Sequence, residues 1–175
     1  MKLLTFPELR QTYEYDCGAK ATEAVLEYYG FDVSESEIMK IANTTRSGTP
    51  IKGIIKTIKK FGLKHKAGTM TLSQIKKYIN KKIPVILVLQ AWTEQKEVNW
   101  EKDWRDGHYV IVIGYDKHKL YFADPSSILR TYLTYKELDK RWHDKNQQNK
   151  RYVHYGIAVF GHKPRFNPKE KIHMD

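Results

Sequence analysis

Residues 11–25 read QTYEYDCGAKATEAV, and this stretch holds the only cysteine of the chain, Cys17. Apolar residues follow at positions 21, 24, 25, 28 and 29, which is the spacing of one face of a helix. Gly30 comes next, at the place where a glycine commonly ends a helix. The pattern predicts that Cys17 lies in the first turn of a helix that packs against the core.

A cysteine at the start of a helix has surroundings that suit a nucleophile. Unpaired backbone N–H groups and the positive end of the helix dipole both favour the thiolate there. Gly18 adds no side chain, so we expect it to let a substrate approach the sulfur. Gln11 precedes the helix, and its amide together with the Cys17 N–H has the outline of an oxyanion hole. The alternative is a buried, inert cysteine, which is the commoner role of a single cysteine.

A second stretch supplies a base for such a thiol. Residues 107–116 read GHYVIVIGYD, which predicts an apolar strand that begins at His108. After a short polar turn, residues 120–125 read LYFADP and predict the return strand, which ends at Asp124. A cysteine, a distant histidine and a carboxylate are the groups that a thiolate–imidazolium enzyme requires.

These motifs together resemble those of a known family. Gln11 is followed by YDCGA at residues 15–19, GHY at residues 107–109 and ADP at residues 123–125. The same motifs in the same order are typical of the bacteriocin-processing leader peptidases, which are papain-like cysteine peptidases that cut after a double-glycine leader. The resemblance covers about residues 11–160 of the chain.

The resemblance implies a role for four residues: Cys17 as nucleophile, His108 as general base, Asp124 as orienting group and Gln11 as oxyanion donor. It implies thiol acyl transfer to water on a peptide or protein substrate, for which a double-glycine leader peptide is one candidate. The family is often fused to a transporter, so a transporter or a membrane surface stays open as a partner. The alternative from another class is a peptide-binding module that keeps the fold without turnover.

Strand register does not by itself select Asp124 as the partner of His108. A tight hairpin around Lys117 and His118 would place Asp124 opposite Ile111, so its carboxylate must reach back with the help of a bulge or strand twist. Asp106 is nearer to His108 in the sequence and is the rival orienting group. We prefer Asp124 because of the resemblance.

The remaining pattern predicts helices first and strands second. Further helices are expected with N-caps at Ser34, Thr49 and Thr71. Strands are expected at residues 83–90, as a pair within residues 108–124, and at residues 129–133 and 152–160, with a helix at 134–142. The prediction is an α+β, papain-like fold in which an N-terminal helical part packs on a C-terminal antiparallel sheet. Residues 1–162 would form one peptidase domain, and residues 163–175 a polar, loose tail.

A long connection at residues 91–107 carries three tryptophans, at positions 92, 100 and 104, and ends beside His108. Long loops of this kind are often lids or binding loops. We therefore expect Trp92 and Trp104, together with Gly18 and Gly107, to contact the substrate. The alternative is that the tryptophans only tie the loop down.

The net charge of +11 suggests an acidic partner, such as a nucleic acid or an anionic membrane surface. No nucleic-acid motif accompanies the charge, so we favour a solvated lysine surface and regard nucleic acid as the weaker alternative. The histidines other than His108 show no metal-ligand spacing, so we expect neither a metal nor a cofactor. A single cysteine, no signal peptide and no membrane-spanning run together suggest a cytoplasmic location.

Overall fold

The computed structural model describes residues 1–174. Its helices are α1 (Cys17–Tyr28), α2 (Glu35–Ala42), α3 (Ile51–Lys60), α4 (Leu72–Asn80) and α5 (Tyr135–Arg141). Its strands are β1 (Lys2–Leu3), β2 (Lys64–Thr69), β3 (Val85–Gln90), β4 (Gly107–Tyr115), β5 (Lys119–Ala123), β6 (Thr131–Thr134), β7 (His143–Lys145), β8 (Arg151–Val153) and β9 (Tyr155–Phe160).

The main sheet is antiparallel and runs in the order β2-β9-β3-β4-β5-β6, with β1 paired to the far end of β4. Helix α1 packs against β4, and α2 and α3 pack against α1. The predicted α+β arrangement is confirmed, with the predicted nucleophile on the helical side and the predicted base on the sheet. No helix within residues 1–174 is long and apolar enough to cross a membrane.

Most predicted helix caps are present. The Ser34 hydroxyl accepts the Glu37 N–H, and Thr71 forms a complete capping box with Gln74. The predicted cap at Thr49 is wrong, because α3 begins one residue later and has Pro50 at its N-cap without a side-chain hydrogen bond.

Thr49 has a different use, which matters for the site. Its hydroxyl lies 2.9 Å from the hydroxyl of Thr44, and its carbonyl accepts a hydrogen bond from the Tyr109 hydroxyl at 2.9 Å. The start of α3 is thereby tied to β4 rather than capped by its own side chain.

A β-bulge changes the register of the hairpin that carries the predicted base and its orienting carboxylate. The pairing of β4 with β5 shifts between Val112 and Gly114, so that Ile111 pairs with Ala123. Without the shift, Ile111 would face Asp124. The bulge therefore brings Asp124 one position closer to His108. A bulge of this kind is one of the two distortions that the sequence analysis requires for Asp124 to reach His108.

Two parts of the C-terminal third differ from the expectation. Residues 143–145 and 151–153 form a separate hairpin, β7–β8, which the sequence pattern did not indicate. The tail was expected to be loose, but at Arg165 and Phe166 it is attached to the end of α1. The N–H groups of these two residues donate to the Tyr28 carbonyl at 2.9 and 3.2 Å. The unpaired carbonyls at the end of α1 and the apolar ring of Phe166 explain this attachment. Asp175, the last residue of the tail, lies outside the described residues.

Gly53 allows α2 and α3 to cross closely, because a Cβ at this buried position would lie only 2.0 Å from the Ala42 carbonyl oxygen. Glycine to alanine inside a helix is ordinarily favourable by about 1 kcal/mol. For Gly53→Ala we expect the opposite sign, a loss of about 1–3 kcal/mol in the free energy of unfolding, as for other overpacked cores. Denaturant unfolding measures it.

The control for this variant is Lys56→Ala, at an exposed position of the same helix. It should change the free energy of unfolding by no more than about 0.5 kcal/mol. A Gly53→Ala protein that is more stable than the parent would contradict the close crossing of α2 and α3.

Candidate active site

Cys17 is the first residue of α1, and only 8% of its surface is exposed. The next residue, Gly18, is buried, and a Cβ there would lie 2.7 Å from the Thr49 Cβ and 2.9 Å from the Tyr109 Cδ2. The missing side chain thus makes room for Thr49, just before α3, and for Tyr109 of β4, whereas the sequence predicts that this space admits a substrate. A direct contact between Gly18 and substrate stays a prediction.

His108 and Asp124 are in contact. His108 is the second residue of β4 and Asp124 directly follows β5, and each is 6% exposed. The distance between His108 Nε2 and Asp124 Oδ1 is 2.7 Å. The rival carboxylate, Asp106, instead accepts a long contact of 3.5 Å from the side chain of Gln95. Of the two candidates, the structure pairs Asp124 with the histidine.

Hydrogen-bond donors surround the Asp124 carboxylate. The Ser126 N–H donates to Oδ1 at 2.9 Å, while the Trp92 indole N–H and the Thr131 hydroxyl each donate to Oδ2 at 3.1 Å. Burial raises the pKa of Asp124, but the hydrogen bond and charge of His108 and the bonds from Ser126 and Trp92 lower it below its ordinary value. Asp124 is therefore ionised at neutral pH.

The protonation of His108 depends on both neighbours. Burial lowers the pKa of His108, but hydrogen bonds and charge from Asp124 and Cys17 outweigh burial and raise it to about 9. Because Nε2 faces Asp124, Nδ1 is the nitrogen left for the sulfur. A raised pKa means that the charged imidazolium persists at neutral pH and is lost as the pH rises through about 9.

Gln11 lies beside the segment that follows Asp124. Its backbone N–H donates to the Pro125 carbonyl at 2.8 Å, and the Ser126 hydroxyl donates to its side-chain Oε1 at 3.1 Å. Its amide nitrogen donates to the Tyr13 carbonyl at 2.7 Å. That bond uses one of the two amide hydrogens, and the role of Gln11 as an oxyanion donor stays a prediction.

Gly107 and Trp92 border the catalytic candidates. A Cβ on Gly107 would lie 2.5 Å from both carboxylate oxygens of Asp144, so this carboxylate stands directly above the residue that precedes His108. Trp92 is 57% exposed although its indole N–H is bound to Asp124. Its φ of 61° is rare for a bulky residue, a kind of strain that concentrates at functional sites.

Trp104 packs against neighbouring side chains, which agrees with the alternative that the tryptophans tie the loop down. Its ring centre lies 4.4 Å from that of His143, and the Arg151 guanidinium lies over it at 4.9 Å. These contacts tie the loop to the β7–β8 hairpin. Contact with a substrate stays a prediction for Trp104.

Two of the residues that donate to Asp124, Ser126 and Thr131, are not among the site residues predicted from the sequence. The bond from Ser126 could have been predicted, because the backbone N–H two residues after an aspartate often donates to the aspartate side chain. The bond from Thr131 could not have been predicted, because its hydroxyl reaches the Asp124 carboxylate only through the pairing of β6 with β5.

Comparison with known proteins assigns the family. A family model described as the peptidase C39 family matches residues 5–146, which is most of the chain. The chain belongs to the peptidase C39 family. It is accordingly a papain-like cysteine peptidase, and the predicted recognition, fold class and enzyme class are confirmed.

Curated relatives of this C39 peptidase include two transport proteins. The chain is 25% identical over 121 residues to the pediocin PA-1 transport/processing ATP-binding protein PedD of Pediococcus acidilactici, covering 69% of the chain and 15% of PedD. It is 26% identical over 135 residues to the transport/processing ATP-binding protein ComA of Streptococcus pneumoniae, covering 75% of the chain and 17% of ComA. The chain thus spans about a sixth of the length of these relatives.

Solved structures share the fold of this C39 peptidase. The peptidase domain of Streptococcus ComA superposes with a TM-score of 0.63 at 21% identity, covering 91% of this chain and 97% of that one. A double glycine motif protease from an AMS/PCAT transporter, solved with its leader peptide, gives 0.65 at 18% identity, covering 94% and 99%. A putative C39-like peptidase from Bacillus anthracis gives 0.70 at 14% identity, covering 94% and 100%.

The contacts of His108 predict how Cys17 reacts with iodoacetamide in this C39 peptidase. An unassisted thiol, with a pKa of about 8.5, is only about 1% thiolate at pH 6.5. We therefore expect His108→Ala to slow alkylation at pH 6.5 by about 10- to 100-fold. Asp124→Asn should slow it in the same direction by less, because a neutral amide stabilises the imidazolium poorly.

Asp106→Asn is the matched control, and it should alkylate at the wild-type rate. The rates are measured by mass spectrometry of the intact protein, which needs no substrate. If Asp106→Asn slows the reaction and Asp124→Asn does not, the pairing of Asp124 with His108 does not operate in solution.

Proposed function

We propose that this C39 peptidase hydrolyses peptide bonds with Cys17 as nucleophile, His108 as general acid and base, and Asp124 as the group that orients His108. The observation that carries the proposal is the buried imidazole, which has Asp124 2.7 Å from Nε2 and interacts with Cys17. An imidazolium held by a carboxylate beside a thiolate is the form in which a cysteine is ready to attack.

In the first half of the reaction, the Cys17 thiolate attacks the carbonyl carbon of the substrate and a C–S bond forms. The electron pair of the C=O bond moves to oxygen, which the Cys17 N–H and the second amide hydrogen of Gln11 stabilise. When this intermediate collapses, the C–N bond breaks and the leaving amine takes the proton from His108. The products are a free amine and a thioester on Cys17.

In the second half, neutral His108 takes a proton from water as the water oxygen attacks the thioester. The C–S bond breaks, the acid product leaves, and Cys17 returns to thiolate beside a protonated His108. Asp124 stays ionised throughout and holds the ring, while the exposed Trp92 indole stands beside this contact as a surface for an extended peptide.

We further propose that the substrate is a leader peptide that ends in two glycines, and that a transporter or membrane surface is the partner. The names of the relatives support this, since one solved relative is a double glycine motif protease bound to its leader peptide.

A peptide that contains Gly-Gly within a leader-like sequence tests this proposal, against the same peptide with Leu-Leu at those positions. We expect cleavage after the second glycine and much slower cleavage of the Leu-Leu peptide, both followed by mass spectrometry. Cys17→Ala should abolish cleavage. Gln11→Ala should lower kcat by about 10²–10³-fold, the usual cost of one oxyanion donor.

Gln95→Ala is the control, because this glutamine lies on the loop before β4 and is exposed. Unchanged kcat in Gln11→Ala would remove Gln11 from the site. If the wild-type protein binds the Gly-Gly peptide and alkylates rapidly at Cys17, yet cleaves neither peptide, the peptidase proposal fails. The peptide-binding module then becomes the better description.

A further inference from the structure

A buried carboxyl group stands directly before the nucleophile, and the proposed mechanism does not use it. Asp16 is 0% exposed. Its Oδ2 accepts the Tyr13 N–H at 2.9 Å, but its Oδ1 is buried and receives no hydrogen bond from a donor. The same is true of Oε1 of Glu35, the first residue of α2. Buried polar atoms of this kind normally have a partner.

A proton held between the two carboxyl groups would satisfy both oxygens. Burial and a hydrogen bond with Glu35 raise the pKa of Asp16 to about 6. Burial raises the pKa of Glu35, but bonds with Asp16, Lys20 and Thr12 outweigh burial and lower it. Below about pH 6, Asp16 is thus the partner that carries the proton, and Glu35 is the ionised acceptor.

Charged groups on α1 and α2 surround the pair. The Lys20 ammonium lies 2.8 Å from Glu35 and 2.5 Å from Glu23, so one cation faces several carboxylates. Glu27 lies further along the same acidic group and interacts with Glu23, with Asp32 and with Lys20. On the β4 side, the titratable groups that face the start of α1 are His108 and Tyr109, through Cys17.

The pair also holds the chain that leads from Gln11 to Cys17. The Thr12 hydroxyl donates to Glu35 at 2.7 Å, and the Tyr13 N–H donates to Asp16. The Tyr13 carbonyl in turn accepts a hydrogen bond from the side-chain amide of Gln11. Each of the two residues after Gln11 is therefore fixed by one member of the carboxyl pair.

We propose that Asp16 and Glu35 share a proton and act as positioning residues that hold the Gln11–Cys17 segment, so that the Gln11 amide is presented to the oxyanion. The role in turnover rests on the proposed peptidase function. The shared proton itself does not, and it can be tested without a substrate.

The pH dependence of stability tests the shared proton. A group whose pKa is raised on folding stabilises the protein fully below its unfolded value, 3.8 for Asp16, and loses this as the pH rises through about 6. Asp16→Asn keeps a donor toward Glu35 at every pH. Between pH 5 and 7 we therefore expect the unfolding temperature of the wild type to fall relative to Asp16→Asn, by about 2–4 °C.

Asp103→Asn is the matched control for the unfolding series. Asp103 is another buried aspartate, on the loop before β4, and its carboxylate accepts backbone N–H groups. This variant should keep the wild-type dependence of unfolding temperature on pH, whatever its stability. If Asp16→Asn also keeps that dependence, no proton is shared and the proposal is overturned.

Turnover of the Gly-Gly peptide tests the positioning role. We expect Asp16→Ala to lower kcat by about 10- to 100-fold, as for other misplaced groups, with Cys17 alkylation largely retained. Asp16→Asn should retain most of kcat. The double variant Asp16→Ala with Gln11→Ala should lose little more than Gln11→Ala alone, because both changes remove one effect.

Fully additive losses in the double variant, or wild-type kcat in Asp16→Ala, would overturn the positioning role. A wild-type protein that cleaves no peptide would instead count against the proposed function, and the unfolding series would still decide on the shared proton.

Discussion

The close contact between the start of α1 and the start of β4 is the constraint on which the site depends. Gly18 meets the Tyr109 ring at a distance that leaves no space for a Cβ, and the Tyr109 hydroxyl reaches on to the Thr49 carbonyl. Gly18 directly follows the predicted nucleophile, and Tyr109 directly follows the predicted base. Packing between this second pair of residues therefore sets the separation between Cys17 and His108.

Two buried carboxyl groups adjoin the predicted catalytic pair, Asp16 before Cys17 in the chain and Asp124 in contact with His108, and their pKa values shift in opposite directions. Asp124 is surrounded by donors and stays ionised, which favours a charged His108. Burial and the hydrogen bond with Glu35 raise the pKa of Asp16, and a proton on Asp16 would satisfy its buried oxygen. In our proposals, Asp124 supplies charge to the reaction, and Asp16, which is protonated below its pKa of about 6, supplies rigidity to the segment that ends at Cys17.

Sequence patterns predicted the parts of this structure that depend on local interactions. The helix that starts at Cys17, the caps at Ser34 and Thr71 and the buried strand β3 all follow from residue spacing and hydrogen-bonding type. Local patterns do not predict the contact of Asp124 with His108, because it depends on a bulge in β4 that no residue pattern indicates. The motifs of the family were needed to prefer Asp124 over Asp106.

Features that depend on tertiary contact were beyond local reasoning. Thr131 reaches Asp124, and Glu35 reaches Thr12, only because separate elements meet in the fold. The lack of a side chain at Gly18 is important, as its sequence position indicates, but Thr49 and Tyr109 fill the space that it leaves. The position of Trp104 in a long loop predicts a contact with substrate, but it does not predict that the ring packs on His143.

The charge state of His108 is the most direct test of this account, because the thiolate–imidazolium pair underlies the proposed chemistry. Its imidazole can be titrated by NMR in protein labelled with ¹⁵N and ¹³C at histidine, with His65 and His143 as internal controls. The account predicts that His108 stays protonated at neutral pH and titrates with a pKa of about 9. In Cys17→Ser, loss of the neighbouring thiolate should lower that pKa, and the control signals should not change. A His108 that is neutral at pH 7 in the wild type, or that titrates identically in Cys17→Ser, would contradict the account.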